Sequence, residues 1–135
     1  MAPRLDLPLI PSTKAPRRAR HAISELLDRS GRPDLCPDTA LLVTELVTNA
    51  VTHAGGPIGV SAGWVDDALR VEVHDFEPSP PVLRHPSILE ESDRGLCLVA
   101  DLADRWGVRP ESHGKTIWFE LNADGRRQDD AAWRF

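Results

Sequence analysis

The sequence predicts a two-layer α/β sandwich of the α+β kind: a mixed, mainly antiparallel sheet with three helices on one face. Three observations lead there. Stretches with apolar residues at helical spacing and stretches of strict alternation both occur, so both element types are present. The clearest alternating stretches come in adjacent pairs joined by short polar turns, as hairpins do. At 135 residues, 41% of them hydrophobic and 27% charged, the chain has the length of one domain and a globular composition.

The elements follow in order. Leu5, Leu7 and Leu9 alternate with other residues and predict a short strand ending at Pro11. Ser12 or Thr13 caps a helix that accepts Pro16 in its first turn. Ala19, Ile23, Leu26 and Leu27 give that helix its apolar spacing, and Gly31 suits its end. A second helix starts at Pro37-Asp38 and stops at Gly55-Gly56-Pro57, with Val43, Leu46, Val47, Ala50 and Ala54 on its apolar face. Ile58, Val60, Ala62 and Trp64 then alternate, and Leu69, Val71 and Val73 do so after a turn at Asp66-Asp67.

From Phe76 to Asp93 the pattern gives way to a segment holding Pro78, Pro80, Pro81 and Pro86, and so long a structureless stretch inside a domain points to a functional loop. Gly95 to Ala103 restores a helix. Arg105 to Val108 and Lys115 to Leu121 read as a final hairpin around Ser112-His113-Gly114. One domain therefore spans residues 1–121, and 122–135 form a loose polar tail in which Trp133 and Phe135 offer docking groups. The helices cover one sheet face. The other is expected to be open, with Trp64 or Trp118 on its solvent side and room for a homodimer.

Composition excludes several classes. The formal charge is 16 − 21 = −5, which gives no general attraction to nucleic acid. The basic run Lys14-Ala15-Pro16-Arg17-Arg18-Ala19-Arg20 reads as a solvated helix face. No apolar run approaches a membrane span and nothing resembles a signal peptide. Cys36 and Cys97 stand apart without metal-ligand spacing, which fits two reduced thiols in a cytoplasmic protein, and the histidines suggest no zinc site.

The chemistry lies on the second helix. Glu45, Asn49 and His53 recur every four residues, so a carboxylate, an amide and an imidazole line one stripe opposite the apolar face. Such a stripe can hold a metal-bound polyanion. Alone it is more often the wetted side of an amphipathic helix. Asp75 at a strand end and Gly95 at a helix start, following it in order, reverse that judgement.

The ordered set Glu45-x-x-x-Asn49-x-x-x-His53, Asp75, a long loop, Arg94-Gly95-Leu96 and Gly114-Lys115-Thr116 resembles the ATP-binding domain shared by gyrase, histidine kinases and the MutL repair proteins. Among its branches it looks most like the stand-alone bacterial anti-sigma factor serine/threonine kinases. The resemblance implies the histidine-kinase-like ATPase (Bergerat) fold, with ATP and Mg2+ as cofactors. It implies that Asn49 holds Mg2+ on the triphosphate through a hard amide oxygen. Glu45 resembles the general base that accepts a proton as the terminal phosphate is attacked. His53 positions rather than reacts.

On the same resemblance Asp75 accepts a hydrogen bond from the adenine amino group, assisted by the Thr116 hydroxyl. The loop 76–93 is then the lid over the nucleotide. Gly95, followed by Leu96, lets phosphate approach free N–H groups at a helix start, and Arg94 or Lys115 adds a charge-assisted contact. One departure stands out: the family's Asp-x-Gly-x-Gly is here Asp75-Phe76-Glu77-Pro78-Ser79-Pro80, with no glycine and an added negative charge. The partners implied are a sigma factor, which would be sequestered, and an anti-anti-sigma antagonist, which would be phosphorylated. The alternative is a non-catalytic module of the same fold, nucleotide-bound or nucleotide-free, that acts by binding a partner.

Overall fold

The computed structural model describes residues 2–53, 56–76 and 93–123, except for the side chains of Asp93 and Arg94. The chain runs β1 (Leu5–Leu9), α1 (Ala15–Arg29), a single 3-10 turn (Pro33–Leu35), α2 (Cys36–His53), β2 (Ile58–Val65), β3 (Ala68–Phe76), α3 (Asp93–Leu102), β4 (Arg105–Glu111) and β5 (Gly114–Asn122). The five strands lie in the order β1-β2-β3-β5-β4, and every neighbouring pair is antiparallel. The expected mixed sheet is therefore corrected to a wholly antiparallel one. Two hairpins, β2–β3 and β4–β5, are joined antiparallel through β3 and β5, and β1 adds to β2 in the same sense.

Local chemistry accounts for the element ends. The N-cap of α1 is Lys14 and makes no side-chain cap, which corrects the expected Ser12 or Thr13 cap; Ser12 Oγ instead accepts the Lys14 N–H at 3.2 Å, one residue before the helix. At the other end Ser30 closes the helix, donating its Oγ–H to the Leu26 carbonyl at 2.8 Å. The β2–β3 turn carries Asp66 at φ 55°, a left-handed conformation that aspartate tolerates better than most residues.

The core lies between sheet and helices. Ala19, Ile23, Leu26 and Leu27 of α1 and Leu42, Val43, Leu46 and Val47 of α2 are buried against Val60, Val71, Ile117, Phe119 and Leu121. Burying each large side chain contributes about 1.5–3 kcal/mol relative to exposure. Strand periodicity then fixes the faces. Ile58, Val60, Ala62 and Trp64 share the helix side with Leu69, Val71 and Val73, and with Ile117, Phe119 and Leu121.

Trp64 thus departs from the expected solvent side. It packs on the core and donates its indole N–H to Ser30 Oγ at 2.9 Å, tying β2 to the end of α1. Trp118 is on the outer face, where the Arg70 guanidinium lies 4.2 Å from its ring centroid. Arg70 also pairs with Glu72 and Glu120, each at 2.9 Å. This face covers itself with an ionic lattice. Burial alone would raise the Glu72 carboxyl, but the hydrogen bond from Arg70 and the charges of Arg70, Arg109 and His74 outweigh it and hold it below the usual carboxylate range.

Among the described residues no helix is long and apolar enough to cross a membrane. The expected lid and tail lie almost wholly outside the described residues: β3 ends at Phe76, α3 begins at Asp93, and β5 ends at Asn122.

Candidate functional site

Topology gathers several element ends at one place. α2 ends at His53 and β2 begins at Ile58, which pairs with Asp75 near the end of β3; Asp75 pairs in turn with Lys115 at the start of β5. The start of α3 joins them, because Gly95 packs against Asn49 and Leu46 of α2. Phe76 and His113 stand at the edge of this cluster with ring centroids 5.8 Å apart.

Asn49 projects from α2 one turn after Glu45 and one turn before His53, and both of these neighbours are half-buried. Its Nδ2 is buried and has no hydrogen-bond partner among the described residues. A β-carbon at Gly95 would stand 2.6 Å from that nitrogen, so glycine is what lets the backbone of α3 come so near. A buried amide nitrogen left unpaired costs stability, and a polar ligand reaching it would relieve that cost. No group of three or more His, Cys, Asp or Glu side chains that could hold a metal occurs among the described residues. A metal here would therefore take most of its ligands from phosphate oxygens and water, which is how Mg2+ is commonly bound. The residues present fit a magnesium-bound polyphosphate.

Asp75, the residue that the resemblance aims at the base, has a partner within the sheet. Its Oδ1 accepts the main-chain N–H of Lys115 at 3.0 Å, and its Oδ2 accepts from Lys115 Nζ at 2.5 Å. The two side chains are only 6% and 12% exposed, so a nearly buried ion pair sits where the base was expected to be read. Lys115 is thereby engaged with Asp75 rather than with phosphate.

Thr116 lies on the opposite side of the sheet. It is buried, shares a hydrogen bond with His74 Nδ1 at 2.8 Å and donates its hydroxyl to Glu111 Oε1 at 3.1 Å. The other ring nitrogen of His74, Nε2, faces Ser61 Oγ at 3.3 Å. The expected help from Thr116 to Asp75 is corrected accordingly: adjacent strand residues point to opposite faces.

The structure thus brings Asn49, Gly95, Asp75 and Lys115 to one end of the domain, with Glu45 and His53 on the same helix as Asn49. Leu96 packs against the core beside Gly95. The side chain of Arg94 lies outside the described residues. Sequence reasoning missed the Asp75–Lys115 pair and the His74–Thr116 bond. Counting alternation back from Ile117, Phe119 and Leu121 would have placed Lys115 inward and Thr116 outward.

A family model described as the histidine kinase-like ATPase domain matches residues 11–121. No curated protein matches the chain.

Proposed function

Because the chain belongs to the histidine kinase-like ATPase domain family, we propose that it binds ATP with Mg2+ between Asn49, Gly95, Asp75 and Lys115 and regulates a partner as anti-sigma factor serine/threonine kinases do. The observation that carries this reading is the Asn49 Nδ2, buried against Gly95 and without a hydrogen-bond partner among the described residues. Magnesium–ATP, when bound, supplies a transferable phosphoryl group. The amide oxygen of Asn49 holds the ion. Main-chain N–H groups in the first turn of α3 receive phosphate, to which Gly95 gives access. Glu45, one turn from Asn49, accepts the proton of an attacking serine or threonine hydroxyl. Asp75 accepts a hydrogen bond from the base.

The acceptor hydroxyl belongs to an anti-anti-sigma antagonist, and the added charge breaks that protein's fitted interface. Freed of its antagonist, the chain sequesters a sigma factor, with a homodimer as its proposed assembly and the cytoplasm as its place of work. Incubation with labelled ATP and the cognate antagonist is expected to label the antagonist. Glu45→Gln should abolish labelling while sparing nucleotide binding; undiminished labelling removes Glu45 from the base role.

One observation favours a second reading. Asp75 is already satisfied by Lys115 without any ligand, as it would be in a non-catalytic module that binds its partner directly. Calorimetry separates the two: no heat at millimolar ATP with Mg2+ supports the module.

A further inference from the structure

We propose that the groove between β1 and the first half of α1 docks an acidic, amphipathic helix of another protein. Docking there is independent of nucleotide binding.

The groove has a volume of about 360 Å³ and is lined by Leu7 of β1 and by Arg17, Arg18, His21, Ala22 and Glu25 of α1. The α1 residues stand at i, i+1, i+4, i+5 and i+8, so they share one side of the helix over about two turns. Leu7 and Ala22 are half-buried, whereas Arg17, Arg18, His21 and Glu25 are exposed. The groove thus has an apolar floor and a charged rim.

That rim is electrically one-sided. Its single carboxylate, Glu25, already stands 3.3 Å from His21 Nε2. The cations of Arg17, Arg18 and the preceding Lys14 form no ion pair among the described residues. All three lie at the N-terminal end of α1, where the helix dipole disfavours positive charge, and the first turn holds no acidic residue. In the free chain they form a solvated face at a cost in stability. Carboxylates of a partner would offset that cost, in a chain whose net charge of −5 otherwise repels acidic molecules.

The form of the partner follows from β1. It is an edge strand, but its Pro8 has no N–H to give, so an added strand would find a poor template. A helix instead lays apolar side chains over Leu7 and Ala22 and carboxylates against Arg17 and Arg18. Ile10, 77% exposed in the link from β1 to α1, offers a further apolar contact. Nucleic acid would answer the cations but not the apolar floor, and the flat surface of an anionic membrane would not enter a groove.

The probe is a fluorescein-labelled peptide of about 14 residues, with leucine at helical spacing and glutamate elsewhere, titrated with the full chain by fluorescence anisotropy. Saturable binding with a Kd of roughly 100 μM or tighter is expected, weakening as salt is added. Arg18→Glu should weaken it by about fivefold or more and raise the thermal midpoint, because an acid there suits the dipole. Arg29→Glu makes the same change of charge at the other end of α1; it should leave affinity within about twofold and lower the midpoint. A merely structural role for Arg18 would give a lower midpoint instead. Single-stranded DNA and phosphatidylglycerol vesicles are the comparison ligands. Failure of the peptide to saturate, equal weakening by both variants, or tighter binding of DNA or vesicles than of the peptide overturns the proposal. Calorimetry with ATP reads the nucleotide site separately, so neither failure can be mistaken for the other.

Discussion

Gly95 presents its α-carbon to the side-chain amide of Asn49, so near that a β-carbon would stand 2.6 Å from Nδ2. The contact joins the start of α3 to the polar stripe of α2. Its neighbour is the end of a side chain, not backbone, so Asn49 can turn aside at small cost.

Gly95→Ala should therefore leave the fold nearly as stable as before, within about 1 kcal/mol, since alanine also favours the helix by about that amount. Displacing Asn49 should nevertheless weaken magnesium–nucleotide binding by roughly tenfold. Thermal unfolding and calorimetry on the same variant check both halves. A large loss of stability, or unchanged affinity, contradicts the placement.

Gly114→Ala should behave in the opposite way. Gly114 sits at φ 132°, and a β-carbon there would collide with the main-chain oxygen of Asp75. Neither backbone can yield easily, so the variant should lose about 2–3 kcal/mol or more. A lower urea midpoint than that of Gly95→Ala is the expected order.

The outer-face lattice makes stability depend on pH. Glu72 has its carboxyl held below the ordinary range, so it stabilises the fold above its unfolded pKa, and that contribution is lost as pH falls through the folded value. Near neutrality Glu72→Gln should cost about 1 kcal/mol, a modest amount because the pair with Arg70 is partly solvated. Denaturant titrations should show the wild-type advantage shrinking toward zero as the solution is acidified below the carboxylate range.

Ser30→Ala removes both the bond to the Leu26 carbonyl and the acceptor of the Trp64 indole. A loss of about 1–2 kcal/mol is expected, together with a change in tryptophan fluorescence. Ser30→Thr, which keeps the hydroxyl, should recover most of it.

Much of the architecture was legible because periodicity reports burial directly. Ile23, Leu26 and Leu27 marked α1, and Val60 and Val71 marked the hairpin; each is fully buried. The sense of the pairing between β3 and β5 was not legible, because no short turn links them and alternation carries no direction. The turn at Pro33–Leu35 was missed as well, since three residues give no period to read. Within the site, the stripe of Glu45, Asn49 and His53 was visible because helical neighbours are close in sequence. The Asp75–Lys115 bond was not, since its partners are 40 residues apart and meet only through a register. Trp64 and Thr116 were a different kind of miss. Each shares parity with residues whose side was evident, Ala62 and Trp118 respectively.

The junction of β3 with β5 has a kinetic meaning too. Each hairpin can zip locally, whereas this seam closes a long excursion of chain, from β3 through α3 and β4, and bears a larger loop-closure entropy than either hairpin. Asp75 and Lys115 are the ionic latch at one end of that seam. A molecule clasped by both would hold the two halves of the sheet together. Its arrival would then be felt as slowed amide hydrogen exchange along Val71 and Val73, well away from the point of contact.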